Sequence, residues 1–152
     1  MATFRVLLPY NYSPNDQKAI RFVIDVFTGQ KDVHLTLFHV YTPLPVIDVG
    51  ANPENLKMRS GINFLASELK EKEEALRAVG EMLVENGFDS NRVSCEFKQR
   101  SKSAAEEIVD AVAGCNVLVL SRGGGKVTHF FTRSIYARVV SALRGVTICV
   151  AT

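Results

Sequence analysis

Three consecutive glycines, Gly123 to Gly125, are the strongest candidate for chemistry in this chain of 152 residues. They directly follow the apolar run NVLVLS, which predicts a buried strand, and Arg122 and Lys126 flank them. Because glycine lacks a β-carbon, backbone N–H groups can turn toward an anion and a phosphate can approach closely. The spacing matches neither the GxxxxGK(S/T) phosphate loop nor the GxGxxG dinucleotide turn. The turn SRGGGK therefore predicts an anion site of another kind, with a flexible surface loop as the alternative interpretation.

The charge distribution also points to the C-terminal third of the chain. All 16 acidic residues lie at or before Asp110, where they outnumber 13 basic residues. The last 42 residues carry five basic residues and no acidic one. These charges favour an anionic partner near the C-terminal third, such as a phosphate-bearing ligand. Five cations spread over 42 residues are too few for a nucleic-acid-binding surface, so nucleic acid is not expected. Solvated helix faces are the alternative interpretation of these charges.

The sequence does not place its histidines and carboxylates where they could act together in catalysis. His34 and His39 are separated by an odd number of positions on one predicted strand, so their side chains should face opposite sides. His39 is interpreted as a satisfied histidine at a strand end. The glycine turn has no carboxylate after Asp110 to hold magnesium or to activate water. The sequence predicts no catalytic residues and no metal site, and therefore a protein that is not an enzyme.

Length and composition predict one ordinary domain over residues 1–152. Hydrophobic residues make up 47% of the chain and charged residues 22%, as in average globular proteins. No apolar run approaches the roughly 18 residues that span a bilayer, and no secretory signal is recognisable, so a cytoplasmic location is expected. Cys95, Cys115 and Cys149 are widely spaced in apolar stretches, which predicts core thiols without disulfides.

Apolar runs and helical periodicities alternate along the whole chain. Strands are predicted at Phe4–Tyr10, Val33–Val40, Arg92–Phe97, Asn116–Ser121 and Val146–Ala151. Helices are predicted from the Ser13-Pro14 cap to Gly29, from Ile62 to Asn86, from the capping box at Ser103 to about Ala113, and from Ser134 to Leu143. The segment from Thr42 to Gly61, rich in proline and glycine, is predicted to be a loop. This alternation predicts an α/β fold with a single doubly wound, mostly parallel five-stranded sheet and helices on both faces. The expected strand order is 3-2-1-4-5.

Three separated blocks resemble the universal stress protein family, in order and in spacing. The block VLLPYNYSPNDQKAI resembles the family pattern ILVAVDGSxxSxxAL, and HLTLFHV resembles its second-strand signature. The block NVLVLSRGGGKVTHFFTRSIYARVV resembles LIVVGSRGxxGLxxLLLGSVSxxVL. The resemblance covers nearly the whole chain. It implies a regulatory stress-response protein that forms a homodimer, and the short apolar fifth strand is a suitable edge for the second copy.

In nucleotide-binding members, the resemblance implies a motif G-x2-G-x9-G-(S/T) that holds the phosphates of ATP. Its four positions fall on Leu120, Gly123, Arg133 and Ser134, so Leu120 and Arg133 replace two glycines. A side chain at either position can fill the phosphate space, whereas Arg133 can instead contact a phosphate as a charged donor. These departures predict a degenerate site.

The adenine end of the implied site also departs from the family pattern. Asn11 stands where the family usually has an aspartate near adenine, and Tyr12 stands where it has glycine. The full set of implied nucleotide-binding residues is Pro9, Asn11, Val40, Leu120, Arg122, Gly123, Gly124, Arg133, Ser134 and Ile135. The leading hypothesis is a non-catalytic regulatory protein with a degenerate site for ATP or AMP. A genuine ATP-binding switch or slow ATPase is the alternative.

Overall fold

The computed structural model describes residues 3–45, 53–121 and 133–152, which form strands and helices in strict alternation. The order is β1 (Phe4–Pro9), α1 (Asp16–Phe27), β2 (Val33–Tyr41), α2 (Pro53–Glu85), β3 (Val93–Gln99), α3 (Ala104–Ala111), β4 (Val117–Ser121), α4 (Arg133–Ala142) and β5 (Thr147–Ala151). Within these ranges no helix is both long and apolar enough to cross a membrane.

The five strands form one sheet in the order β3-β2-β1-β4-β5, and every neighbouring pair is parallel. The predicted α/β fold and its strand order are therefore confirmed. In the register, Val6 lies beside Leu35 of β2 on one side and beside Val117 of β4 on the other. From β1 the chain first adds β2 and β3 on one side of β1, and then adds β4 and β5 on its other side. The direction of the connections therefore reverses between β1 and β4.

Two hydrophobic clusters cover the two faces of the sheet. Alternate residues of β1 enter different clusters, because successive side chains of a strand point to opposite faces. Val6 and Leu8 pack with α1 and α2, whereas Leu7 packs with α3 and α4. All three are at most 1% exposed. The near-continuous apolar runs of the central strands therefore arise from burial on both faces.

Two predicted helix starts were wrong. α2 begins at Pro53, so the predicted loop that ends at Gly61 is too long. Proline suits the first helical turn, where its missing N–H needs no partner, and the proline-rich composition was misinterpreted as a loop. α1 begins at Asp16 with Asn15 as its N-cap, and the predicted Ser13 cap does not form.

The expected helix start at Ser103 is confirmed for α3, because the Ser103 hydroxyl accepts a hydrogen bond from the Glu106 N–H at 3.2 Å, which is one of the two bonds of a capping box. The cysteines follow the prediction only in part. Cys115 and Cys149 are half-buried against the core clusters, whereas Cys95 on the edge strand β3 is exposed. Its prediction as a core thiol was wrong, because Cys95 faces α2 but borders the open cavity between α2 and β3.

Candidate functional site

The carboxyl ends of β1, β2 and β4 meet at one edge of the sheet. In a parallel sheet with crossover helices, this edge also receives the N-termini of the helices that follow each strand. The turn after β1, with Asn11 and Tyr12, therefore lies beside the end of β2 and the end of β4. It is at this switch point that ligands bind in open α/β sheets.

A buried carboxylate joins two of these strand ends. The Asp16 side chain, 1% exposed, accepts hydrogen bonds at Oδ2 from the backbone N–H groups of Asn11 and Ser13, both at 2.9 Å. Its Oδ1 accepts a hydrogen bond from the Ser121 hydroxyl at 2.6 Å. The turn after β1 is thereby fixed to the last residue of β4, immediately before the glycine turn. The sequence around Asp16 gives no indication of this connection.

Tyr12 adopts a left-handed backbone conformation with φ of 61°. Its hydroxyl donates a hydrogen bond to the backbone carbonyl of Lys72 on α2. Its ring meets the rings of Tyr10 and His39 edge-on, each with centroids 5.0 Å apart. Burial raises the pKa of the Tyr12 hydroxyl, so it stays a donor at neutral pH. Tyr12 therefore connects the turn after β1 to α2.

His39 packs against Tyr12 and is hydrogen-bonded through its Nδ1. It is 5% exposed, and its Nδ1 lies 2.8 Å from the Tyr10 carbonyl, which makes this nitrogen the donor. Its ring stacks on Phe97 of β3 with centroids 5.4 Å apart. Burial lowers the pKa of His39, so the ring is neutral at neutral pH. The interpretation of His39 as a satisfied strand-end histidine is confirmed. His34 is bonded elsewhere, to Ser94, at 2.8 Å.

A cavity of about 460 Å³ opens at the ends of β1 and β2. Asn11 and Val40, both predicted site residues, border it together with Tyr12, His39 and Tyr41. The loop after β2 and the middle of α2 complete the lining with Thr42, Pro43, Leu44, Pro45, Leu65, Glu68, Leu69 and Lys72. A mostly apolar lining with a few polar groups is typical of sites for small organic ligands.

A second cavity of similar size, about 490 Å³, lies between α2 and β3. Gly80 and Cys95 line it, and both lie away from the switch point. Of these two cavities, the one at the strand ends borders the turn after β1, so it is the candidate functional site.

The predicted phosphate-binding residues lie at the ends of β4 and α4. Leu120 is 1% exposed and packs in the core cluster beneath α3 and α4. Arg133, Ser134 and Ile135 form the first turn of α4, where backbone N–H groups have no partner within the helix. Pro9 is the last residue of β1 and is buried. Arg122, Gly123 and Gly124 lie outside the described residues.

A second buried carboxylate holds the loop between β3 and α3. Glu107 Oε1 accepts hydrogen bonds from the N–H and the hydroxyl of Ser101, both at 2.9 Å, and from the Lys102 N–H at 3.1 Å. The Lys98 ammonium lies 2.9 Å from Oε2. These donors, the Lys98 ammonium above all, lower the pKa of Glu107 to about 2. The sequence indicated neither this network nor its role.

No cluster of three potential metal ligands from histidine, cysteine, aspartate and glutamate occurs in the part of the chain that the structure describes. The site offers an aromatic and aliphatic cavity beside a turn whose backbone is fixed by Asp16.

Comparison with models of protein families identifies the family of this chain. The universal stress protein family model matches residues 3–144, nearly the whole chain. The chain belongs to the universal stress protein family. The comparison with curated proteins gives no significant match. The resemblance of the three sequence blocks is confirmed.

Solved structures of universal stress proteins share this fold at low sequence identity. The universal stress protein UspA from Lactobacillus plantarum has a TM-score of 0.68 at 16% identity, with 100% of this chain and 99% of that chain covered. A universal stress protein from Archaeoglobus fulgidus, in complex with dAMP, has a TM-score of 0.60 at 12% identity, with 100% of both chains covered. A family protein from Arabidopsis thaliana with AMP bound has a TM-score of 0.56 at 16% identity, with 98% and 92% covered.

Proposed function

We propose that this universal stress protein is a non-catalytic regulatory protein whose cavity at the ends of β1 and β2 binds the adenine moiety of a nucleotide. The observation that carries the proposal is that Asn11 and Val40, at separate positions in the sequence, border one cavity of about 460 Å³. Family members with AMP or dAMP bound support the choice of ligand.

The chemistry of the cavity suits a purine base. Tyr12, His39 and Tyr41 supply flat aromatic surfaces, and Leu65 and Leu69 supply an aliphatic wall. The amide of Asn11 can both donate and accept a hydrogen bond, which matches the adjacent donor and acceptor on the edge of adenine. A carboxylate at this position, as in the family pattern, can only accept.

The part of the site that would hold phosphate suits a nucleotide with one phosphate better than one with three. The first turn of α4 can hold one phosphate through its free backbone N–H groups. The Asp16 carboxylate, however, lies where the family pattern has a neutral serine, and it is bonded to Ser121 directly before the glycine turn. Its negative charge disfavours a chain of further phosphates nearby. We therefore propose that the β- and γ-phosphates of ATP add little affinity.

The absence of catalysis is also part of the proposal. In the described residues at the cavity, His39 has its Nδ1 bonded to the Tyr10 carbonyl and a pKa lowered by burial, which makes it a wall rather than an exposed base. Asp16 is 1% exposed and already accepts three hydrogen bonds, which leaves it poorly suited to activate water.

Calorimetric titration with AMP and with magnesium ATP tests this proposal. A ligand of roughly 23 non-hydrogen atoms at about −0.3 kcal/mol each gives AMP a Kd on the order of 10 μM. We expect ATP to bind within about threefold of AMP and to remain unhydrolysed. The variant Asn11→Ala is expected to weaken the binding of AMP by about tenfold, because it removes the amide that bonds to the base. Saturation by neither nucleotide at about millimolar concentration would contradict the proposal.

The alternative, an ATP-binding switch or slow ATPase, is favoured by one observation. α4 begins at Arg133, which puts the predicted residues Arg133, Ser134 and Ile135 together in its first turn. That alternative predicts ATP affinity at least about tenfold above that of AMP, corresponding to about 1.4 kcal/mol from the added phosphates. Release of inorganic phosphate during the same incubation separates the ATPase from the switch.

We further propose that the protein is a homodimer through β5, which forms one edge of the sheet. The Thr147 N–H bonds to the Asn116 carbonyl at 3.0 Å, toward the β4 side. Because successive N–H groups of a strand point to opposite sides, those of Ile148 and Val150 point away from β4. They are available to pair with the same strand of a second copy.

Sedimentation equilibrium at about 10–100 μM protein tests the dimer, because a dimer with a Kd of about 1 μM or below is mostly associated at these concentrations. The wild type is expected to be a dimer, and Val150→Pro to be a monomer, because proline removes an outward N–H. Val150→Thr retains the N–H and is expected to stay dimeric. A monomeric wild type, or a dimer unaffected by Val150→Pro, would show that β5 is not the interface.

A further inference from the structure

Tyr12 is the one non-glycine residue with positive φ among residues 3–45, 53–121 and 133–152. Left-handed backbone is unfavourable for a residue with a bulky side chain, and such conformations persist only when their surroundings hold them. They cluster at functional sites. The family pattern has glycine at this position, so the turn keeps the glycine conformation while the side chain has been gained.

The contacts of the Tyr12 side chain hold it in one orientation. Its hydroxyl donates to the Lys72 carbonyl on α2, and its ring lies edge-on against Tyr10 and His39. Behind this wall, Phe97 stacks on both His39 and Tyr41, with centroids 5.4 and 4.7 Å apart. The rings therefore form one fixed aromatic wall, and Tyr12, His39 and Tyr41 all border the cavity.

We propose that Tyr12 is a specificity-determining residue of the nucleotide site, which favours a purine base by presenting its ring to the base. The inference rests on the proposed function, because it concerns the same cavity. Aromatic contact with a base supports roughly a tenfold gain in affinity. Because the Tyr12 hydroxyl is already bonded to α2, the ring is pre-organised and little freedom is lost on binding. A larger purine ring system covers more of the wall than a pyrimidine does.

The chain itself provides a spectroscopic probe of this contact. It contains four tyrosines and no tryptophan. Three of the four, Tyr10, Tyr12 and Tyr41, belong to the aromatic wall. Tyrosine fluorescence therefore reports mainly on this site, and contact with a purine base is expected to quench it.

The test compares AMP, CMP and ribose 5-phosphate on the full chain by fluorescence and calorimetry. The wild type is expected to bind AMP about tenfold more tightly than CMP, with ribose 5-phosphate weaker still. Tyr12→Gly, which suits the backbone conformation, is expected to lose about tenfold in AMP affinity and to bind AMP and CMP within about threefold of each other. Tyr12→Phe keeps the ring and is expected to retain the preference for AMP.

Thermal unfolding of each variant confirms that the fold is intact, and Tyr12→Asn, which also tolerates left-handed backbone, replaces Tyr12→Gly if that variant does not fold. If the wild type binds AMP and Tyr12→Gly keeps both the affinity and the preference over CMP, the role of Tyr12 is refuted while the proposed function stands. If the wild type binds no AMP, the proposed function fails and the role of Tyr12 fails with it.

Discussion

Asp16→Ala is expected to lower the free energy of unfolding by about 3 kcal/mol. The substitution leaves the N–H groups of Asn11 and Ser13 and the Ser121 hydroxyl without their acceptor. Asp16 is only 1% exposed, so water can compensate for the lost acceptor only in part. Because these donors belong to the turn after β1 and to the end of β4, the loss separates two strand ends that the ligand site needs side by side.

Asp16→Asn is the matched control. Its oxygen can accept from the two backbone N–H groups while its amide N–H donates to the Ser121 hydroxyl, which can also act as an acceptor. The expected loss is therefore only about 1 kcal/mol. Urea unfolding followed by circular dichroism near neutral pH measures both variants. Equal losses for alanine and asparagine would show that the negative charge, and not the hydrogen bonding, holds the two strand ends.

Glu107→Ala is also expected to lower the free energy of unfolding by about 3 kcal/mol near neutral pH. The side chain is fully buried, and removing it leaves two donors of Ser101, the Lys102 N–H and the Lys98 ammonium without the carboxylate. The loop between β3 and α3 then loses the group that fixes its backbone. Glu107→Gln keeps one oxygen acceptor and is expected to cost about 1–2 kcal/mol, which isolates the contribution of the charge.

The contribution of Glu107 also has a defined pH dependence. Its pKa is lowered from an ordinary 4.5 to about 2 in the folded protein. A carboxylate with a lowered folded-state pKa adds stability that is complete above the ordinary pKa and is lost as pH falls through the folded one. The difference in unfolding free energy between wild type and Glu107→Gln is therefore expected to be constant down to about pH 5 and to shrink toward about pH 2. A difference independent of pH over that range would contradict the role of the charge.

The fold was predictable because each element carries its own local signal. Central strands such as Val117–Ser121 are apolar at nearly every position, since both faces are buried. Once five strands alternate with helices, short right-handed crossovers leave few arrangements, and the observed strand order is among them. The start of α2 was missed because Pro53 is compatible with both a loop and a first helical turn, and only tertiary structure distinguishes the two.

The site was predictable only in part. The resemblance indicated Asn11 and Val40, and these residues do border one cavity. The bond between Asp16 and Ser121 joins residues 105 positions apart, and no local pattern encodes such a pairing. The residues of the aromatic wall also come from separate parts of the sequence. Tyr12 follows β1, His39 lies in β2 and Phe97 lies in β3. Sequence spacing within one element does not show which side chains meet across neighbouring strands.

The most direct test of the central claim is to locate bound AMP by nuclear magnetic resonance. If adenine occupies the cavity at the ends of β1 and β2, its ring protons should show Overhauser contacts with the methyl groups of Leu69 and with the side-chain amide of Asn11, which both border that cavity. Contacts confined to the groove between α2 and β3 beside Val93, or no saturable contact at about millimolar AMP, would contradict the account.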